Sequence, residues 1–236
     1  MTKNILVNKN NLYFTVEDSE ELHQDKGYNF WLEKYSSWEP ETFKVLDEYL
    51  SKEKDYLDIG AWVGPTAIYG SFLSRKVVAV EPDPVAHKIL QKNIAINSIK
   101  NIEVINKAAS KLEKVFLEPS NFFGDSMTRV SERSNGSNSI ETIGLNELIS
   151  MGDFSLIKID IEGHEFNLIK WYADLLNESK IPLLLSLHTP FFSDGHLLIN
   201  NLISNLHKAK SVFNENGEEI DIKTIANSFG SYLFVW

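Results

Sequence analysis

Residues 55–64 of the chain read DYLDIGAWVG, and this stretch decides the fold. It begins as a short apolar segment and ends in a turn with glycines at positions 60 and 64. A helix is predicted next, with Pro65 in its first turn, where the missing N–H costs nothing. The following strand, KVVAVEP at 76–82, carries Glu81 near its end, about 20 residues beyond the turn, as in nucleotide-binding strand–helix–strand units. The pattern predicts a nucleotide site beyond the carboxyl ends of parallel strands.

Further apolar strands alternate with predicted helices along the rest of the chain. The additional strands lie within residues 102–110, 155–163 and 182–188, and a helix is predicted over 84–97. Continuous apolar strands that alternate with helices are typical of a parallel sheet covered on both faces. Segments 211–217 and 231–236 predict a closing hairpin. The predicted fold class is therefore α/β, with a doubly wound, mostly parallel sheet and an antiparallel edge strand.

The 236 residues suit a single domain over 1–236, although two regions interrupt the alternation. Residues 1–40 are predicted as an N-terminal cap segment with a hairpin-like start. Residues 114–120 are predicted as an added edge strand. Residues 121–139 are polar and rich in Ser, Asn and Gly, and two interpretations stay open for them: a mobile lid over a functional site or a solvated linker.

The composition argues against several classes of partner. The net charge is -10 and Lys and Arg form no cluster, so neither a nucleic acid nor an anionic membrane surface is expected to bind. Cysteine is absent, which excludes disulfides and cysteine-based zinc sites. The longest apolar run, Ile181–Leu187, has the length of a strand, whereas a membrane-spanning helix needs roughly 20 residues. We therefore expect a cytoplasmic protein.

The turn also indicates which nucleotide binds. Glycine lets a ligand approach the backbone, and an acidic residue at the tip of the second strand accepts hydrogen bonds from ribose hydroxyls. Trp62 stands where a dinucleotide-binding turn has its second glycine, so its indole would keep a pyrophosphate away from the backbone. Adenosine without phosphate avoids this conflict, and S-adenosylmethionine is such a ligand. Its predicted contacts are Asp58, Gly60, Gly64 and Glu81; the alternative is that both glycines only shape a tight turn.

Several motifs between Trp38 and His188 point to one family. They are WEP at 38–40, DIGAWVG at 58–64, VVAVEPDP at 77–84, NKAAS at 106–110 and LIKIDIEGHE at 156–165. Together they resemble the FkbM-type methyltransferases. The resemblance implies a class I, Rossmann-like methyltransferase that uses S-adenosylmethionine to methylate hydroxyl groups, often on sugars or secondary metabolites. It adds Glu39, Trp62 and Asp83 to the predicted cofactor contacts. Trp62 and Ser186 depart from the usual pattern, which leaves the details of the acceptor pocket open.

Charged residues concentrate on the predicted fourth strand of the sheet. If the strand continues to its tip, Lys158, Asp160 and Glu162 share one face, and a buried strand rarely carries three charges without a reason. The carboxyl end of this strand lies beside the nucleotide crevice, so Asp160 and Glu162 are predicted to point toward the transferred methyl group. The alternative is a structural network that pins the strand to a neighbour, and this is compatible with a catalytic role.

His188 ends the fifth strand, beside the fourth. Its imidazole is a candidate base for an acceptor hydroxyl, and the alternative is a histidine that caps the strand by hydrogen bonding. Asp160, Glu162 and His188 are also plausible ligands for a divalent metal. Spacing in the sequence establishes no metal site, so a metal is possible but not favoured.

Two other functions compete with a methyltransferase that takes a small-molecule or glycan acceptor. One is a nicotinamide-dependent oxidoreductase, against which Trp62 argues. The other is a non-catalytic domain that keeps the fold and binds the cofactor. The identity of the acceptor and the oligomeric state are not readable from the sequence.

Overall fold

The structure, a computed structural model, describes residues 3–18, 29–119, 123–133, 138–225 and 227–236. In chain order its strands are β1 (Lys3–Lys9), β2 (Leu12–Asp18), β3 (Asp55–Ile59), β4 (Lys76–Val80), β5 (Ile102–Ile105), β6 (Ala108–Ala109), β7 (Lys114–Glu118), β8 (Arg129–Ser131), β9 (Ser139–Ile143), β10 (Phe154–Ile159), β11 (Leu183–His188), β12 (Ser211–Phe213), β13 (Glu219–Ile220) and β14 (Phe229–Val235). The α-helices are α1 (Pro40–Tyr49), α2 (Pro65–Ser71), α3 (Pro84–Ile96), α4 (Leu145–Ser150), α5 (Glu165–Ser179) and α6 (Gly195–Asn205).

The main sheet has the strand order β13-β12-β14-β11-β10-β3-β4-β5 in the described residues. Its centre is parallel, because β3 pairs in parallel with β4 and β10, while β4 continues to β5 and β10 to β11 in the same sense. Strand β14 runs antiparallel to both β11 and β12. The predicted α/β class, with a mostly parallel sheet and an antiparallel edge, is confirmed.

Two apolar clusters cover the two faces of this sheet. Alternate residues of a strand point to opposite faces, so Tyr56 and Leu156 join one cluster while Leu57 and Ile157 join the other. All of β3 is buried, as expected for a central strand covered on both sides. The strands are thus fixed firmly enough for their carboxyl ends to hold side chains in a defined arrangement.

The N-terminal hairpin of β1 and β2 packs beside α3. The amide of Thr15 donates to Asn97 Oδ1 and the amide of Glu17 donates to Asn93 Oδ1, each at 2.8 Å. On the other side of the hairpin, Phe14 makes edge contacts with the rings of Trp31 and Tyr35. The predicted hairpin-like start is confirmed, and the next described element is a π-helical turn at Phe30–Lys34.

The expectation that residues 114–120 extend the main sheet is wrong. Strand β7 belongs to a second sheet with the order β6-β9-β7-β8. Its partner β8 comes from the polar region 121–139, whose described part is therefore not simply a loop. Strand β7 joins the second sheet because it pairs with segments that lie farther along the chain, and the stability of a strand depends strongly on its neighbouring strands. Residues 121–122 and 134–137 lie outside the described residues.

Within the part of the chain that the structure describes, no helix is both long enough and apolar enough to span a bilayer.

Candidate active site

A cavity of about 630 Å³ opens at the carboxyl ends of β3, β4, β10 and β11. Ligand pockets usually measure roughly 300–1,000 Å³, and α/β sheets bind ligands at this edge. Among its lining residues are the charged side chains of Glu39, Glu81, Lys158, Asp160, Glu162 and His188 and the aromatic side chains of Phe30, Trp38, Trp62 and Phe229. The predicted position of the nucleotide site therefore coincides with a cavity of suitable size.

The two glycines of the turn have different surroundings. Both have positive φ, +87° at Gly60 and +99° at Gly64. A Cβ atom on Gly60 would lie 1.8 Å from the carbonyl oxygen of Asp160, and one on Gly64 would lie 2.5 Å from the side chain of Leu90. Only Gly60 also lines the cavity. The close contact that requires glycine at position 60 is therefore with the protein backbone, as the tight-turn alternative predicts. Gly64 does not line the cavity and packs behind its wall.

Trp62 closes the turn and reaches the region between β7 and β8. Its backbone amide donates to Glu81 Oε2 at 2.7 Å. Its indole Nε1 donates to the carbonyl oxygen of Gly124 at 2.9 Å, and the ring makes an edge contact with Phe30 at 4.8 Å between centroids. These contacts hold the indole against the cavity wall.

Glu81 presents a carboxylate to the cavity with both oxygens already anchored. Oε2 accepts from Trp62 and Oε1 accepts from the amide of Asp83 at 2.8 Å. Each oxygen retains a second lone pair for a ligand. Burial raises the pKa of Glu81 to about 8, although the two amides work in the opposite direction.

Asp58 and Asp83, also predicted as cofactor contacts, do not line the cavity. Oδ1 of Asp83 accepts from the amide of Val85 and caps α3, while Oδ2 accepts from Gly124 N at 2.7 Å and Thr128 Oγ1 at 2.8 Å. Asp58 is fully buried and its Oδ2 accepts from Thr66 Oγ1 at 2.7 Å. Both carboxylates therefore hydrogen-bond to other parts of the protein.

Lys158 is a buried cation between two carboxylates. Its Nζ lies 3.2 Å from Asp160 Oδ2 and 3.6 Å from Asp58 Oδ1, and the side chain is 2% exposed. Burial disfavours the charged form, but Asp160, Asp58 and Glu39 outweigh this effect and raise the pKa of Lys158. The lysine therefore remains charged and fixes one oxygen of Asp160.

Asp160, Glu162 and His188 converge at one point of the cavity wall. His188 Nε2 lies 3.6 Å from Asp160 Oδ1 and 3.5 Å from Glu162 Oε2. The condition that the strand continues to Glu162 is not met, because β10 ends at Ile159 and Glu162 has a φ of 53° in the turn that follows. This turn still brings Glu162 to the side of Asp160 that faces His188.

Glu165 is a functional candidate that the sequence reasoning missed. Its Oε1 lies 3.1 Å from His188 Nδ1 and accepts from the backbone amide of His188 at 2.8 Å. Its Oε2 accepts from Gly163 N at 2.7 Å. The sequence feature that could have indicated Glu165 is its position as an acidic residue in the first turn of a helix, just beyond the charged strand.

Burial and mutual repulsion shift the acid–base properties of this cluster. Burial raises the pKa of Glu162 to about 7, and burial together with Asp160 raises the pKa of Glu39 to about 7. Burial opposes the charged form of His188, but Glu165, Asp160 and Glu162 raise its pKa to about 9. At neutral pH His188 is therefore a proton donor, and Glu162 is better matched than His188 to accepting a proton.

Curated relatives of the chain are methyltransferases. It is 26% identical over 166 residues to the hexuronic acid methyltransferase AglP of Haloferax volcanii, and the match covers 69% of this chain and 65% of that protein. It is 36% identical over 63 residues to ribosomal protein L11 methyltransferase of Alkaliphilus oremlandii, which covers 26% of this chain and 20% of that protein. The chain spans less than two thirds of the length of either relative.

A solved structure and a family match complete the comparison. The T. Thermophilus 16S rRNA N2 G1207 methyltransferase matches with a TM-score of 0.53 and 13% identity, covering 99% of this chain and 50% of that chain. This likeness shows the fold alone, and the fold is that of the Rossmann-like methyltransferases. The Methyltransferase FkbM domain matches residues 58–207, which is more than half of the chain. The predicted resemblance is confirmed: the chain belongs to the FkbM methyltransferase family.

Proposed function

We propose that this chain is an S-adenosylmethionine-dependent methyltransferase that methylates a hydroxyl group on a sugar, a glycan or a secondary metabolite. The observation that carries the proposal is a single cavity that contains the glycine turn with Glu81 and also the cluster of Asp160, Glu162 and His188. The family membership and the relative that is named a hexuronic acid methyltransferase support it.

The cavity residues fit the cofactor. Glu81 has free lone pairs for ribose hydroxyls, and Gly60 and Trp62 lie beside it on the cavity wall. Acidic side chains, among them Glu39 and Glu162, line the same cavity, which suits a sulfonium cation. When bound, S-adenosylmethionine supplies an activated methyl group on a positively charged sulfur.

The chain's own residues then have to orient the acceptor and take its proton. Lys158 holds one oxygen of Asp160, which leaves the other oxygen directed toward His188 and the cavity. Asp160 is placed to accept a hydrogen bond from an acceptor hydroxyl, and Glu162, with a pKa near neutrality, is placed to take the proton. Alignment of this kind accounts for about 7–11 kcal/mol of a barrier in favourable cases.

Replacement of Glu81 tests the cofactor site. Glu81→Ala is expected to weaken S-adenosylmethionine binding by about 1.5–3 kcal/mol, the scale of a hydrogen bond to a charged group. Titration calorimetry measures the change. The matched control is Glu103→Ala, since Glu103 is an exposed partner of Lys76 on the neighbouring strand and should leave the affinity unaltered. Unchanged affinity in a folded Glu81→Ala protein would remove Glu81 from the site.

Replacement of Asp160 tests the catalytic assignment. Asp160→Asn keeps the shape of the side chain and removes its charge, so kcat should fall by about 10² or more while cofactor affinity changes little. The assay follows transfer of isotope-labelled methyl groups to a panel of sugars that includes uronic acids. Asp174→Asn, at an exposed position of α5, is the control. A wild-type kcat for Asp160→Asn on a genuine acceptor would refute the assignment.

The same panel separates the remaining alternatives. Cofactor binding with no transfer to any acceptor class is the outcome expected of a non-catalytic domain. The family assignment disfavours the nicotinamide-dependent oxidoreductase. The expectations of a cytoplasmic protein and of no nucleic-acid partner stay predictions, and adding RNA oligonucleotides to the panel tests the latter.

A further inference from the structure

We propose that Asp160, Glu162 and His188 form a binding site for one divalent cation at the acceptor side of the cavity. The potential ligand atoms, one from each residue, all lie within 4.8 Å of one another. His188 Nε2 is 3.6 Å and 3.5 Å from the nearest oxygens of the two carboxylates. Metal–ligand bonds of about 2.0–2.2 Å require only a small closure of this triangle. The sequence alone did not favour a metal, and the structure supplies the missing geometry.

Two of the three proposed ligands, Asp160 and His188, each have their second polar side-chain atom bound by another residue of the protein. Asp160 Oδ2 is bound by Lys158 at 3.2 Å, which directs Oδ1 toward His188. His188 Nδ1 is bound by Glu165 Oε1 at 3.1 Å, which directs Nε2 into the cavity. Glu165 is fully buried and is itself fixed by two backbone amides. A buried carboxylate behind a histidine is the usual support of a metal-binding imidazole, because it sets the orientation of the ring.

Three carboxylates lie around His188, so this point of the cavity favours positive charge. Asp160, Glu162 and Glu165 lie 3.1–3.6 Å from ring nitrogens of His188, while Lys158 contacts Asp160 and the charge of Arg129 acts on Glu162. A divalent ion at the triangle binds the lone pair of a neutral His188 Nε2 and places positive charge beside these carboxylates. Two oxygens and one nitrogen suit Mn²⁺ or Mg²⁺, with Zn²⁺ as the competitor that the imidazole favours.

Open coordination positions of such an ion face the cavity, since all three residues line it. An acceptor hydroxyl that occupies one of them becomes a stronger acid. This consequence rests on the proposed function, in which the ion when bound replaces Glu162 as the group that activates the hydroxyl, whereas the cation site itself does not rest on it. Glu165 is then a positioning residue, because it acts on the ion through His188.

The test uses the full chain, freed of metals by chelation and without cofactor or acceptor. Mn²⁺ is the probe, and its binding is measured by calorimetry and by electron paramagnetic resonance. One ion per chain is expected, and Glu162→Gln and His188→Gln should each weaken binding at least tenfold. Glu165→Gln should weaken it by about 10–100-fold, the usual effect of removing such a support. Glu103→Gln, remote from the cavity, should leave it unchanged.

Two results would overturn the proposal: no saturable binding of Mn²⁺, Mg²⁺ or Zn²⁺, or binding that survives in both folded Glu162→Gln and His188→Gln proteins. Thermal unfolding verifies that each variant is folded. Titration of the chelated protein with S-adenosylmethionine keeps the two hypotheses apart. Normal cofactor affinity without metal binding refutes the cation site and leaves the proposed function intact.

Discussion

Gly60→Ala is expected to lower the free energy of unfolding by about 2–5 kcal/mol and to abolish detectable cofactor binding. A left-handed backbone conformation costs roughly 1–2 kcal/mol for a residue with a Cβ, and overpacking typically adds about 1–3 kcal/mol. The new methyl group would lie 1.8 Å from the Asp160 carbonyl oxygen, so β3 and β10 have to separate or the turn has to move. Chemical denaturation and calorimetry measure the two effects.

Gly217→Ala is the matched control for this change. Gly217 also has a positive φ, of +76°, but nothing lies within 4 Å of an added Cβ. It should therefore show the backbone cost alone, about 1–2 kcal/mol, with normal cofactor binding. Equal losses in the two variants would mean that the contact with Asp160 is unimportant.

Lys158→Met is the second change with a large expected effect. It leaves Asp58 and Asp160 without their cation inside the protein, and removing one partner of a buried ion pair typically costs about 3–5 kcal/mol. Lys54→Met is the control, because Lys54 makes a 2.6 Å ion pair with Asp153 at the surface and such pairs contribute about 0–1 kcal/mol. Denaturant unfolding compares the two variants.

A double variant identifies the cause of the loss. Adding Asp58→Asn to Lys158→Met removes one of the two uncompensated charges and should recover part of the stability. If the loss came only from the changed shape of the lysine side chain, the second substitution would bring no recovery. That outcome would contradict the electrostatic role assigned to Lys158.

The parts of the fold that depend on local patterns were predictable. The alternation of apolar strands and helices and the spacing from the glycine turn to Glu81 are properties of neighbouring residues, and they gave the parallel sheet and the place of the cavity. The position of β7 was not predictable in this way, because its partners β8 and β9 are polar segments recruited from farther along the chain.

The candidate site was predictable as a set of residues but not as a set of roles. Asp83 precedes Pro84 at the start of α3, and this helix-capping position could have indicated that its carboxylate is already used. Gly64 meets Leu90 and not the cavity, which only the packing of α3 reveals. The support of His188 by Glu165 joins the end of β11 to the start of α5, which are separate in the sequence, and no periodicity encodes such a contact.

The close packing of Gly60 against the Asp160 carbonyl constrains how members of this family diverge. The turn beside the proposed cofactor site and the loop beside the proposed acceptor site meet at a seam with no space for another atom, so a substitution there is expected to change both sites together. New acceptor preferences have to arise where residues face the cavity without touching the seam, as at Thr128, Val130 and Phe229. We expect homologues with different acceptors to vary at those positions while the seam keeps its glycine.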